Sequence, residues 1–172
     1  MKFVSFSCKN KTSVGIVNED CTKVIDIHQL SKGTLPNNMY EYLQKFESNN
    51  KVLNSLLKNF SQNDYMFDLE DVIINAPLPN PNSFRDAYAF RKHVEAGRKN
   101  RGLEMIPEYD MFPVFYFSNH NSICGSGNIN LNKNLFKKLD FEFEVGVIVG
   151  KEGKNISVEE AHKYIAGLVI MN

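Results

Sequence analysis

The chain has 172 residues, of which 42% are hydrophobic and 23% charged, the ordinary mix of a globular domain. Its twenty Lys+Arg residues balance its twenty Asp+Glu residues, so no net positive charge steers it onto nucleic acid or an anionic membrane. No apolar run approaches the ~20 residues needed to span a bilayer, and Cys8, Cys21 and Cys124 include no CxxC pair of the kind a thiolate zinc site uses.

Met1 leads straight into Lys2-Phe3-Val4-Ser5-Phe6, without the apolar core or small-residue cleavage site of a secretory leader. The expectation is a cytoplasmic protein with free thiols. Weak alternation from Phe3 to Cys8, from Ser13 to Val17 and from Lys23 to Ile27 predicts a small antiparallel meander, with turns at 10–12 and 18–20. His28, just past the third strand, reads as a surface or capping residue. Met39, Tyr42, Leu43 and Phe46, then Val52, Leu53, Leu56, Leu57 and Phe60, recur at helical spacing. Ser48-Asn49-Asn50 is the expected break between the two helices. Residues 67–74 read as the approach to a further strand.

Ala76-Pro77-Leu78-Pro79-Asn80-Pro81 follows. So many prolines forbid helix and resist central strand pairing, which sets the expected boundary between a small N-terminal β-rich domain at 1–78 and a second domain at 79–172. Residues 83–99 read as helical, with Ser83 as N-cap. On such a helix His93 would return to nearly the same face as Asp86 two turns later. Arg91, Lys92, Arg98, Lys99 and Arg101 make the segment basic. That face is either solvated or an anion-binding lid, with Gly97 and Gly102 allowing it to bend. Phe112-Pro113-Val114-Phe115-Tyr116-Phe117 reads as a buried strand. Gly125-Ser126-Gly127 lacks the spacing and the following helix of a phosphate-binding loop.

Leu139-Asp140-Phe141-Glu142-Phe143-Glu144-Val145 alternates as a strand with three carboxylates on one face and continues through Val147-Ile148-Val149 toward a core. Like charges in a row call for water, basic neighbours or a cation. Two Glu at i and i+2 can reach one ion, and all-oxygen sites suit Mg²⁺, Ca²⁺ or Mn²⁺. With Asp86 added, the ion could stabilise charge on the oxygens of a keto acid while His93 acts as general base on water. The alternative is a solvated strand face. Further on, Ser157-Val158-Glu159-Glu160 reads as a capping box opening a helix to about Ile165. Gly167 is expected to end it, and Leu168-Val169-Ile170-Met171 to begin an apolar strand.

These segments, in this order, resemble the fumarylacetoacetate hydrolase superfamily. Asp86 to His93 matches its D-x-Y-x-x-x-x-H segment, residues 112–119 the strand before its glycine loop, and Leu139 to Glu144 its LDxExE motif. Residues 156–167 match its following helix, and Ile170-Met171-Asn172 the start of its MND motif. The resemblance is strong from about Phe84 to Asn172 and loose before that. It implies an α+β, β-rich fold: a small N-terminal β domain followed by the first part of a mixed β-roll. It implies Asp86, Glu142 and Glu144 as metal ligands, His93 as the base, and Tyr88, Tyr116 and Arg101 as substrate contacts. The implied cofactor is Mg²⁺ or Ca²⁺, with Mn²⁺ an alternative. The implied activity is hydrolytic cleavage of a carbon–carbon bond in a β-diketo acid of the fumarylacetoacetate or acylpyruvate type, usually by a homodimer. The alternatives are a keto-acid decarboxylase or isomerase of the same superfamily, or a non-catalytic binding or dimerisation module. The family's fourth ligand is the Asp after the MN of MND, where this sequence stops. The 172 residues alone are therefore expected to bind metal weakly and not to turn over.

Overall fold

A computed structural model describes residues 1–61 and 65–172. The fold is mixed α+β and sheet-rich. The chain divides into two compact units, one formed by Met1–Pro79 with Cys124–Asn172 and the other by Asn80–Ile123.

The first unit begins with the expected meander. Strands β1 (Lys2–Cys8), β2 (Lys11–Val17) and β3 (Lys23–Asp26) pair antiparallel in sequence order. The β1–β2 turn is tighter than residues 10–12. Cys8 pairs with Lys11, leaving a two-residue loop in which Lys9 and Asn10 both take positive φ, at 48° and 64°. That backbone matches the right-handed twist of the strands. Strands β4 (Met66–Asp68) and β5 (Ile73–Ile74) complete a sheet in the order β4-β3-β2-β1-β5. At Gly15 in β2 a Cβ would sit 2.5 Å from Val24 Cγ1 and 2.9 Å from the Ile25 carbonyl oxygen, so only glycine fits.

Three helices pack on this sheet: α1 (Ile27–Leu30), α2 (Met39–Gln44) and α3 (Phe46–Lys58). Buried Asp26 turns the chain from β3 into α1, accepting hydrogen bonds from the Gln29 N–H and the Ser13 hydroxyl, each at 3.0 Å. The helix break falls at Lys45 rather than at Ser48-Asn49-Asn50. Both asparagines stay helical because Tyr42 satisfies them. Asn49 Nδ2 donates to the Tyr42 carbonyl at 2.8 Å, and the Tyr42 hydroxyl donates to Asn50 Oδ1 at 2.8 Å. Burial raises the Tyr42 phenol well above its ordinary pKa. The core comprises Val14, Ile16, Ile25, Ile27, Leu35, Met39, Tyr42 and Leu53. His28 is half-buried and its Nδ1 donates to the Leu35 carbonyl at 2.6 Å.

The same unit ends in a hairpin of β8 (Glu144–Val149) and β9 (Ile165–Met171), antiparallel from Glu144↔Met171 to Val149↔Ile165. Between them lie α5 (Val158–Ala161) and a single 3-10 turn, His162–Tyr164. The helix is shorter than expected, and Gly167 sits inside β9 instead of ending a helix. The capping box does not close: Ser157 makes no side-chain cap bond, and Glu160 pairs instead with Lys163 at 2.6 Å. Glu159's own backbone N–H, and then the Ser157 hydroxyl, hold the Glu159 carboxyl below the usual range.

The second unit holds a ribbon of β6 (Arg85–Ala87) and β7 (Phe115–Phe117), with α4 (Arg91–Asn100) between them. Residues 83–90 are thus not helical, and Ser83 is no cap. Asp86 pairs across the ribbon with Tyr116. Phe112, Phe115 and Phe117 are exposed rather than buried, since a two-stranded ribbon cannot bury both its faces. Among the described residues no helix is long and apolar enough to cross a membrane, and all three cysteines are free.

Candidate active site

The candidate residues fall on three short backbone segments. Asp86 is the middle residue of β6, directly opposite Tyr116 of β7. The Tyr116 hydroxyl donates to Asp86 Oδ2 at 2.6 Å. On the other face of the ribbon, Arg85 stacks over the rings of Phe117 and Phe115, at 4.7 and 5.6 Å from their centroids. Those contacts lie on the face opposite the Asp86–Tyr116 pair. Beyond β6, Tyr88 donates its backbone N–H to the Val114 carbonyl at 3.0 Å and leaves its side chain 41% exposed.

His93 lies in the first turn of α4 with its side chain exposed. Asp86 is on a strand and His93 on a helix, so the shared helix face expected from their spacing does not exist. The arginines of this segment are engaged locally. Arg91 bridges Glu95 at 2.8 Å and also pairs with Asp110; the Asp110 carboxylate, then Glu95, raise its pKa. Arg98 donates to the Glu104 carbonyl, and Arg101 to the Gly97 carbonyl at 3.0 Å. Gly102, at φ 69°, closes the helix: its N–H bonds the Lys99 carbonyl, and the Leu103 N–H bonds that of Arg98. This is the Schellman stop that favours glycine. It gives Gly102 a structural role whatever the helix does beside a ligand.

Glu142 and Glu144 lie at the entrance to β8. The strand starts at Glu144, not at Leu139, so Glu142 stands just before the ladder. Its backbone N–H donates to Asn172 Oδ1 at 2.9 Å, which ties this segment to the end of β9. Glu144 is half-buried and shares its face with Gly146 and Ile148. Val145, Val147 and Val149 face the other way and are 52–68% exposed, so the strand does not run into a closed core in this chain. The Gly125 that resembled part of a phosphate loop has a packing reason: a Cβ there would lie 2.4 Å from the Ile74 carbonyl oxygen.

Asp86 and His93 belong to one unit, Glu142 and Glu144 to the other. Among the described residues no three His, Cys, Asp or Glu side chains are gathered closely enough to hold a metal ion. In kind, the donors fit a hard divalent cation: they are carboxylate oxygens only, with no thiolate among them. Asp86 has one oxygen engaged by Tyr116, and its Oδ1 carries no hydrogen bond among the described residues. Sequence reasoning missed the Asp86–Tyr116 pair, because a cross-strand partner 30 residues away leaves no local signal.

Residues 82–172 match the family described as Fumarylacetoacetate (FAA) hydrolase C-terminal. Along its whole length the chain is 27% identical to oxaloacetate tautomerase YisK of Bacillus subtilis, of which it covers 59%. Its fold matches fumarylacetoacetate hydrolase from Exiguobacterium antarcticum with a TM-score of 0.61 at 19% identity, over 99% of this chain and 54% of that one. It matches maleylpyruvate hydrolase from Sphingobium sp. SYK-6, in complex with manganese(II) and pyruvate, with a TM-score of 0.61 at 17% identity, over 99% of this chain and 57% of that one. The chain thus spans little more than half the length of these relatives.

Proposed function

The chain belongs to the fumarylacetoacetate hydrolase family, and from that premise we propose that it carries the first part of a metal-dependent active site that hydrolyses a carbon–carbon bond in a β-diketo acid. The observation behind this reading is the position of Asp86, His93, Glu142 and Glu144 inside the matched segment 82–172. Asp86, Glu142 and Glu144 would hold a divalent cation, Mg²⁺, Ca²⁺ or Mn²⁺. A bound cation would polarise the carbonyl oxygens of the keto acid and stabilise negative charge developing there.

The chain's own side chains do the rest. His93, exposed on the first turn of α4, takes a proton from water. The water oxygen bonds to one carbonyl carbon, the adjacent carbon–carbon bond breaks, and its electron pair leaves with the departing keto acid as an enolate. The proton taken up by His93 is then available to that enolate carbon. Tyr88, Tyr116 and Arg101 would bind substrate oxygens, the guanidinium supplying charge for a carboxylate. The neighbour that holds manganese together with pyruvate supports a keto acid beside a divalent ion.

A second reading is supported by the relative matched along the whole chain, an oxaloacetate tautomerase. In that chemistry His93 moves a proton between the carbon and oxygen of an enol without any bond to water. The two separate in one experiment on the Mn²⁺-loaded polypeptide at the length its relatives have. Acylpyruvate and fumarylacetoacetate are followed by loss of diketo absorbance, and oxaloacetate by keto–enol exchange. Hydrolysis that disappears in His93→Ala supports the first reading. Exchange of oxaloacetate without hydrolysis of either diketo acid replaces it with the second. We further propose a cytoplasmic homodimer.

A further inference from the structure

Away from the candidate active site, the N-terminal meander brings an amine and a thiol into contact. Lys2 heads β1, opposite Val17 at the end of β2, and Cys21 sits in the turn from β2 to β3. Lys2 Nζ donates to Cys21 Sγ at 2.9 Å, and the thiol donates to the Glu19 carbonyl at 3.8 Å. The turn is tied down around this pair. Asn18 Oδ1 accepts from the N–H groups of Thr22 and Lys23 at 3.0 and 2.9 Å, and the Cys21 N–H donates to the Asn18 carbonyl at 3.2 Å. Lys2 and Cys21 are both exposed, so an oxidant in solution can reach the sulfur. Cys8 and Cys124 are also free, but among the described residues neither is hydrogen-bonded to a side-chain amine.

We propose that Lys2 and Cys21 form a redox-sensitive modification site, at which hydrogen peroxide joins them through a reversible sulfur–nitrogen bond. An exposed thiol oxidised to sulfenic acid either meets a second nucleophile or goes on to irreversible sulfinic acid. Here the second nucleophile is already in contact. In the first step the sulfur attacks one peroxide oxygen, the O–O bond breaks, and sulfenic acid and water form. In the second the Lys2 nitrogen attacks the sulfenic sulfur, the S–O bond breaks, and the departing hydroxide takes the amine's proton as water. The protein loses two hydrogens and one peroxide becomes two waters. The contact with Cys21, through its hydrogen bond and then its charge, raises the Lys2 pKa and keeps the amine protonated. Turning the sulfur into neutral sulfenic acid removes that partner and frees the amine to react. A thiol reverses the link by attacking sulfur and releasing the amine. The link would staple the first residue of the β1 ladder to the β2–β3 turn.

The test is peroxide treatment of the purified chain, followed by blocking of free thiols, digestion without reductant and mass spectrometry of the peptides. Cys8→Ser and Cys124→Ser are built into every sample, which removes disulfides within the chain as a source of the same mass loss. Lys2→Arg keeps the charge beside Cys21 but removes the amine, and Cys21→Ser removes the sulfur. Both positions are exposed, and far-ultraviolet circular dichroism checks that the variants fold. The expected product joins the peptides of Lys2 and Cys21, is lighter than their sum by two hydrogens, and falls apart in dithiothreitol. It is absent from Lys2→Arg and Cys21→Ser. In Lys2→Arg the sulfenic acid persists, so dimedone labelling of Cys21 rises severalfold over the Lys2 protein. Cys21 that gains only oxygen atoms in the Lys2 protein overturns the proposal. So does a link that maps to the Met1 amine, one that survives in Lys2→Arg, or dimedone labelling that Lys2→Arg leaves unchanged.

Discussion

The sheet of Met1–Pro79 and the hairpin of β8 and β9 are built from the same β-branched, alternating residues, yet only the first buries them. Val14, Ile16, Val24 and Ile25 are 0–6% exposed beneath or beside the helices that cover their sheet. Val145, Val147, Val149, Leu168 and Ile170 share one face of the hairpin and are 52–73% exposed. Alternation specifies which side chains share a face. Whether that face is covered depends on a second layer, and the hairpin face has none among the described residues. The N-terminal sheet accordingly supplies its own core, while the segment bearing Glu142 and Glu144 does not.

That contrast can be broken most forcefully in the core. Leu53 is fully buried in α3 against the sheet. Leu53→Ala should destabilise the Met1–Pro79 region by about 2–5 kcal/mol, as large-to-small core substitutions do, measured as a lowered midpoint in urea followed by circular dichroism. A midpoint within error of wild type would mean that the helices do not pack as described. The matching change on the hairpin, Val147→Thr, should alter stability by no more than about 0.5 kcal/mol, because exposed sites away from special features rarely matter more. A cost as large as that of Leu53→Ala would show that the face is covered in solution.

A smaller effect sharpens the turn that joins β2 to β3. Asp20 accepts hydrogen bonds from the Thr22 hydroxyl at 2.6 Å and its N–H at 3.1 Å, and these hold its carboxyl below the usual range. A carboxyl depressed in the folded state contributes stability above its unfolded pKa of ~3.9 and loses that contribution as pH falls through the folded value. Asp20→Asn should therefore leave a slightly less stable protein at neutral pH that converges on wild type under acid. A gap that persists below pH ~2 would assign the difference to something other than this titration.

The meander was legible because its alternation and turns are local, and the N-terminal helices because their apolar stripes repeat at helical spacing. The break between the helices was misplaced: Asn49 and Asn50 carry the chemistry of a turn, but Tyr42 satisfies both inside α3. Asp86 was misplaced for the opposite reason. Nothing local marks residues 85–87 as strand, and their partner lies at 115–117. The hairpin's exposure was invisible because an apolar strand looks the same whether or not it is covered. The candidate ligands stood out only through motifs in register; their spacing alone also fits a solvated strand face.

The proposed function requires Asp86, Glu142 and Glu144 each to contribute to binding of a divalent cation. Isothermal titration of the polypeptide at the length of its relatives with Mn²⁺ tests it most directly, comparing wild type with Asp86→Ala and Glu142→Ala. A single saturable site in wild type that is lost or weakened by at least roughly tenfold in both variants is the expected result. Binding that survives both substitutions unchanged, or its absence in wild type, contradicts the claim.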